Sequence, residues 1–200
     1  MYEKLPQKLK DTGLFCAYRN EQRGGRKTKV PYDMRTPRKA QPNNKDSFCD
    51  FATALRHVSK YDGLGVGVFD GLCAIDLDHC VSPGKTLTAL AADVAEIMDS
   101  YTEYSPSGTG LRIFFTADGF EYNKALYYIN NQKLGLEIYV SGATHKFLTV
   151  TGNVLRERGL EDRSQQLLMV LDKYMKRPNT QKAKKPNTGK SYLSDDTLME

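Results

Sequence analysis

The stretch GLGVGVFDGLCAIDLDHC, Gly63 to Cys80, decides how the rest of the chain is read. Two apolar runs flank Asp70–Gly71, a dipeptide that tolerates positive φ and so predicts a two-residue hairpin joining them. Along the second run alternate residues share a face, so Asp76 and Asp78 project together while Ile75 and Leu77 point into a core. Two carboxylates held this close repel each other, and a divalent cation or bulk water relieves the repulsion. The pair is competent to bind metal, with aspartates ending a solvent-facing strand as the plainer account. His79 follows on the opposite face and reads as structural.

Further strands lie on both sides of this stretch. Upstream, GLFCAYR (13–19) alternates as a strand, and KTKVPYD (27–33) reads as an edge strand because Pro31 cannot donate to a ladder; Gly24–Gly25 marks the turn between them. DSFCDFATALRHVSKY (46–61) places Phe48, Phe51, Ala52, Leu55 and Val58 at helical spacing, with His57 exposed. Downstream, SPGKTLTALAADVAEIMDSY (82–101) predicts a helix entered at Ser82–Pro83, with a stripe of Leu87, Leu90, Ala91, Val94, Ile97 and Met98. Two strands then flank a glycine-rich turn in TEYSPSGTGLRIFF (102–115), and GLEIYVSG (135–142) and KFLTVTG (146–152) add two more. A helix over 161–177 stops before Pro178. The order predicts an α+β fold, a mostly antiparallel sheet with helices packed on one face and the other face left for chemistry.

Three further segments carry candidate chemistry. Ser105, Ser107, Gly108, Thr109 and Gly110 form a turn rich in hydroxyls and backbone N–H groups that suits a phosphate, and Arg112 lies just beyond it, facing away from the core. The plainer account is a hairpin turn followed by an exposed arginine. Glu137 interrupts an apolar strand and shares a face with Tyr139; beside the Asp76/Asp78 strand it would bring three carboxylates together. His145 and Lys146 stand at the entry of the next strand, where they suit a triphosphate or simply solvate a loop.

With 40% hydrophobic and 26% charged residues over 200 positions, the chain is long enough for one domain or two small ones. No apolar run is long enough to span a bilayer and residues 1–10 lack the apolar centre of a signal peptide, so a cytoplasmic protein with no membrane partner is expected. Cys16, Cys49, Cys73 and Cys80 include no CxxC pair, which favours neither disulfides nor zinc. The net charge of +5 is uneven: Tyr18–Lys39 holds eight Lys/Arg against Glu21 and Asp33, and Lys173–Lys190 holds seven with no acid. Such clusters suit a polyanion, although a solvated face is the commoner use.

Taken together, GLGVGVFDGLCAIDLDHC, SYTEYSPSGTGLRIFF and LEIYVSGATHKFLTVTG resemble the archaeo-eukaryotic primase superfamily, specifically the primase-polymerase domains of phage and plasmid replication proteins. The upstream KTKVPYDMRTPRKA is similar as well, and the likeness spans roughly residues 13 to 155. It implies a template-directed nucleotidyl transferase with an RRM-like sheet at about 71–177 and an N-terminal α/β module at about 1–70. A basic linker at 178–190 would follow, then a helical segment starting at 191–200, as at the front of a longer protein with a helicase domain or subunit downstream. On this resemblance Asp76, Asp78 and Glu137 would be the catalytic residues and would hold two Mg²⁺ or Mn²⁺ ions. Ser105, Ser107, Gly108, Thr109, Gly110 and Arg112, with His145, Lys146 and Lys29, would meet the nucleoside triphosphate. Arg19, Arg26, Lys27, Arg35, Arg38 and Lys39 would contact a single-stranded DNA template, and the setting would be a bacterial host's cytoplasm.

The chain departs from the family pattern twice, since the family usually has histidine where Arg112 stands and often aspartate where Glu137 stands. Three rival readings stand beside this one. A sugar-nucleotide transferase would need a larger nucleotide-binding sheet, and a replication-initiator nuclease would need a metal-binding histidine pair. A catalytically inactive single-stranded nucleic-acid-binding module on the same sheet would use stacking aromatics such as Phe114 and Tyr139.

Overall fold

A computed structural model of the chain describes residues 2–178; the linker and helical start expected over 178–190 and 191–200 lie, apart from Pro178, outside the described residues. In chain order the main elements are α1 (Gln7–Thr12), β1 (Phe15–Arg23), β2 (Arg26–Tyr32), α2 (Phe51–His57), β3 (Gly63–Gly67), β4 (Leu72–Leu77), α3 (Ala89–Met98), β5 (Tyr101–Tyr104), β6 (Leu111–Thr116), β7 (Asn130–Asn131), β8 (Leu136–Tyr139), β9 (Phe147–Val150), β10 (Val154–Arg156) and α4 (Ser164–Val170), which continues into a wider turn over Leu171–Met175. They form a four-stranded sheet in the order β2-β1-β3-β9 and a six-stranded sheet in the order β10-β5-β6-β4-β8-β7, every pairing between strands being antiparallel. The α+β class and the helical face are as expected.

Strand alternation divides the six-stranded sheet into two apolar surfaces. Cys73, Ile75 and Leu77 of β4, with Ile113 and Phe115 of β6 and Ile138 of β8, pack beneath Val94 and Met98 of α3 and Leu167 of α4. The opposite face was expected to stand open, and here the structure differs. Ala74, Tyr101, Phe114 and Tyr139 on that face pack against Phe15, Ala17, Leu64, Val66, Leu148 and Val150 of the four-stranded sheet. Burying Phe114 and Tyr139 this way removes large apolar area from water, and it also removes both rings as stacking platforms for bases.

The Asp70–Gly71 turn forms with both residues at positive φ, +50° and +78°. The hairpin does not: β3 pairs with β1 and β9, and β4 pairs with β6 and β8, so the turn carries the chain from one sheet to the other. Two helices are shorter than their periodicity suggests. α3 begins at Ala89, capped by Thr88, whose hydroxyl accepts from Ala91 N, because Ser82–Thr86 is closed into a separate turn by Ser82 N donating to Thr86 O at 2.9 Å. α2 begins after Asp50, whose carboxylate accepts from Thr53 N, and buries Ala54 while Leu55 stays 40% exposed. The edge position of β2 and the Gly24–Gly25 turn are as read from the sequence. All four cysteines are buried and free.

Candidate active site between the two sheets

The ladder itself aligns the charged residues. Asp76 on β4 stands directly opposite Arg112 on β6 and opposite Glu137 on β8, and Arg112 in turn stands opposite Glu103 on β5. One row therefore runs Glu137, Asp76, Arg112, Glu103 across four strands, on the face turned toward the other sheet. Like charges in adjacent positions destabilise a sheet, so each acid needs a partner. Arg112 Nε donates to Asp76 Oδ1 at 3.3 Å, and Arg112 Nη1 donates to the Thr149 carbonyl at 2.9 Å and to the Thr149 hydroxyl. Glu137 accepts from the Tyr139 hydroxyl at 2.9 Å and from Lys146 Nζ. Glu103, fully buried, accepts from the Tyr101 hydroxyl and from the N–H groups of Thr151 and Gly152 at 2.8–2.9 Å.

Burial raises the Asp76 carboxyl above the usual aspartate range; Arg112 works against that shift, and the charges of Asp78 and Glu137 add to it. Burial raises Glu103 in the same way, against its backbone hydrogen bonds. Lys29 reaches over from β2, and loss of water at its ammonium, with repulsion from Arg112, lowers it below an ordinary lysine. Asp76 and Lys29, but not the buried Glu103, edge a cleft of about 490 Å³ lined also by Arg112, Tyr139, His145 and Lys146, among others. Asp78 lies past the end of β4, exposed, with its N–H bonded to Gly135 O at 2.8 Å. Among the described residues no three acidic, histidine or cysteine side chains are gathered to hold a metal ion as they stand.

No protein-family model matches the chain. Among curated proteins, the DNA primase-polymerase of Nitratiruptor phage NrS-1 is 30% identical over 138 residues, covering 66% of this chain and 19% of the relative. By sequence, this chain is a relative of a phage primase-polymerase. It spans about a fifth of that relative's length, at 19%.

The structure distributes the remaining sequence-derived candidates unevenly. Of those for a primase-polymerase nucleotide site, Lys29, Arg112, His145 and Lys146 share the cleft with Asp76, whereas Ser105 lines a separate hollow of about 470 Å³ beside Tyr2 and Tyr18. The N–H groups expected to be open for phosphate are largely spent inside the turn. Ser105 N donates to Gly110 O, Gly108 N to Ser105 O, Gly110 N to Ser105 Oγ and Thr109 N to Ser107 Oγ. Nor is Arg112 exposed at the mouth of that turn, since it is buried under β9.

The basic candidates also divide. Lys27 and Lys29 alternate onto the same face of β2, the one that lines the cleft, while Arg19 packs over the Tyr32 and Tyr61 rings at 5.5 and 4.9 Å on the other face. Arg35 is clamped by Asp33 through two hydrogen bonds, and Lys39 pairs with Glu21 at 3.4 Å, so neither guanidinium nor ammonium is unengaged. Arg26 and Arg38 are exposed. Sequence reading passed over Glu103, whose place was nonetheless available from the hairpin count across the Ser105–Gly110 turn, and it missed Thr149 as the cap on Arg112, which depended on β9 joining the other sheet.

Proposed function

We propose that this chain carries out template-directed nucleotidyl transfer, as a DNA primase, a DNA polymerase or both, in phage or plasmid replication, on a single-stranded DNA template with nucleoside triphosphates. The observation that carries the reading is that Asp76 and Arg112 of the row open onto a cleft rimmed by Lys29, His145 and Lys146, with Glu137 bound to Lys146 at its edge, a layout of acids beside cations that suits a polyphosphate substrate. The order β5-β6-β4-β8, with α3 crossing from β4 to β5, supports an RRM-like sheet; residues 117–129, where a second crossing helix would fall, contain none.

The donor chemistry fits two hard divalent cations such as Mg²⁺ or Mn²⁺, since carboxylate oxygens are their preferred ligands. Asp76 and Asp78 would hold them, with Glu137 joining once its oxygens are released from Lys146. When bound, such ions lower the pKa of an attacking hydroxyl and stabilise a leaving pyrophosphate. The chain's own groups do the positioning. Arg112, fixed by Thr149, opposes the rise that burial imposes on the Asp76 carboxyl, and Lys29, His145 and Lys146 bind and orient phosphate oxygens.

The test is incorporation of nucleotides on primed and unprimed single-stranded templates with Mg²⁺ or Mn²⁺. Activity is expected in the wild type and is to be lost in Asp76→Ala, Asp78→Ala and Glu137→Ala with folding retained. The paired state of Asp76 and Glu137 favours one other reading, a catalytically inactive single-stranded nucleic-acid-binding module. Metal-independent DNA binding, unchanged in all three variants and without incorporation, would establish that module instead.

A further inference from the structure

The two cations that neutralise the acid row are held in different ways. Arg112 has a side chain only 6% exposed, tied at one end to Asp76 and at the other to the Thr149 carbonyl and hydroxyl, so it has nowhere to go. Lys146 has a side chain 48% exposed, and its ammonium lies over the Tyr139 ring at 5.5 Å while bonded to Glu137 Oε1. Only the ammonium end of this pair is open to water, the Glu137 side chain being 18% exposed, so the lysine is the partner free to exchange while the carboxylate stays in place. The same ammonium lines the cleft with Lys29, Arg112 and His145, where a polyanion would meet it.

Glu137 consequently has both oxygens occupied, Oε1 by Lys146 and Oε2 by the Tyr139 hydroxyl. We infer that Lys146 is an exchangeable latch on Glu137: a triphosphate entering the cleft draws the ammonium onto its own oxygens and frees Oε1 for a divalent cation, so nucleotide and metal bind cooperatively. Tyr139 is then a positioning residue, holding Oε2 in place while Oε1 changes partner, on a residue that stands opposite Asp76 in the ladder. The inference rests on the reading of this cleft as a nucleotidyl-transfer site. Coupling of this kind is reciprocal, so metal must strengthen nucleotide binding by the same factor that nucleotide strengthens metal binding.

The experiment measures Mn²⁺ affinity of the full chain by electron paramagnetic resonance and titration calorimetry, with and without a non-hydrolysable nucleoside triphosphate analogue. In the wild type the analogue is expected to tighten Mn²⁺ binding about 5- to 150-fold, the usual span of such couplings. Lys146→Met is expected to bind Mn²⁺ about tenfold more tightly without the analogue, and the coupling factor should fall toward one. Adding Glu137→Gln to Lys146→Met should erase the gain. If Lys146→Met binds Mn²⁺ no better than the wild type while Asp76→Asn abolishes binding, the latch is refuted and the metal site stands. If no variant and no wild-type sample binds Mn²⁺ through Asp76, both the latch and the nucleotidyl-transfer reading fall.

Discussion

Removing Arg112 while keeping its bulk is expected to be among the most damaging single changes to the fold. In Arg112→Met the side chain still fills the space between β6 and β9, but Asp76 and Glu103 lose the cation standing between them on the ladder. With side chains 6% and 13% exposed, the Arg112–Asp76 pair is too buried to be discounted as a surface salt bridge. Breaking a buried pair from one side costs about 3–5 kcal/mol, because the stranded charge cannot recover its water. For a domain of this size that corresponds to a fall in Tm of roughly 6–20 °C. The loss should shrink as pH falls, since Asp76 and Glu103 already sit above the usual carboxylate range and rise further without the arginine, so acid neutralises both. It should also shrink when Asp76→Asn and Glu103→Gln are added, by about 0.5–3 kcal/mol of coupling. Urea and thermal melts across pH make the measurement. An Arg112→Met loss under about 1 kcal/mol, or one that the triple variant leaves unrelieved at every pH, would refute the electrostatic account.

Three other outcomes are expected. The stability difference between wild type and Asp76→Asn should be flat below the ordinary aspartate range and should fall as pH rises through Asp76's raised value, because a raised carboxyl favours the fold only while protonated; pH-dependent melts showing the opposite slope would contradict the burial of that charge. Gly110→Ala should cost about 1–3 kcal/mol in denaturation, as overpacking does, because its Cβ would stand 2.6 Å from the Leu77 carbonyl oxygen, an atom fixed in the β4 ladder. Lys27→Ala on the cleft-side face of β2 should weaken single-stranded oligonucleotide binding and reduce the salt slope by about 0.7, read by fluorescence anisotropy, whereas Arg35→Ala, which loses the Asp33 clamp, should move the melting curve and leave the slope alone.

What was legible in the sequence was whatever local alternation determines. The faces of β4, β6 and β8 follow from period two, and so Asp76, Arg112 and Glu137 were correctly placed on one side of a sheet away from Ile75, Ile113 and Ile138. What alternation does not encode is which sheet a strand joins. Leu64 and Val66 of β3 and Leu148 and Val150 of β9 read as ordinary half-buried strands, and nothing local says that they cover the face carrying the acids. The same limit explains the Ser105–Gly110 turn: its composition suits phosphate, but hydroxyls and N–H groups that suit a ligand suit each other equally well, and here they close the turn on itself.

The hairpin that fails to form is tied to the site that does. A strand has two edges, and β4 spends one on β6, which supplies Arg112, and the other on β8, which supplies Glu137. Had β3 folded back onto β4 as Asp70–Gly71 suggests, one of those edges would be occupied by Leu64, Val66 and their glycine neighbours, and Asp76 would lack either its cation or its second acid. Sending β3 to the other sheet leaves both edges of the aspartate strand available and brings β9, paired with β3, across the site so that Thr149 caps Arg112. The turn residues are therefore needed for their positive φ, which reverses the chain within Phe69–Leu72, and not for pairing the strands on either side.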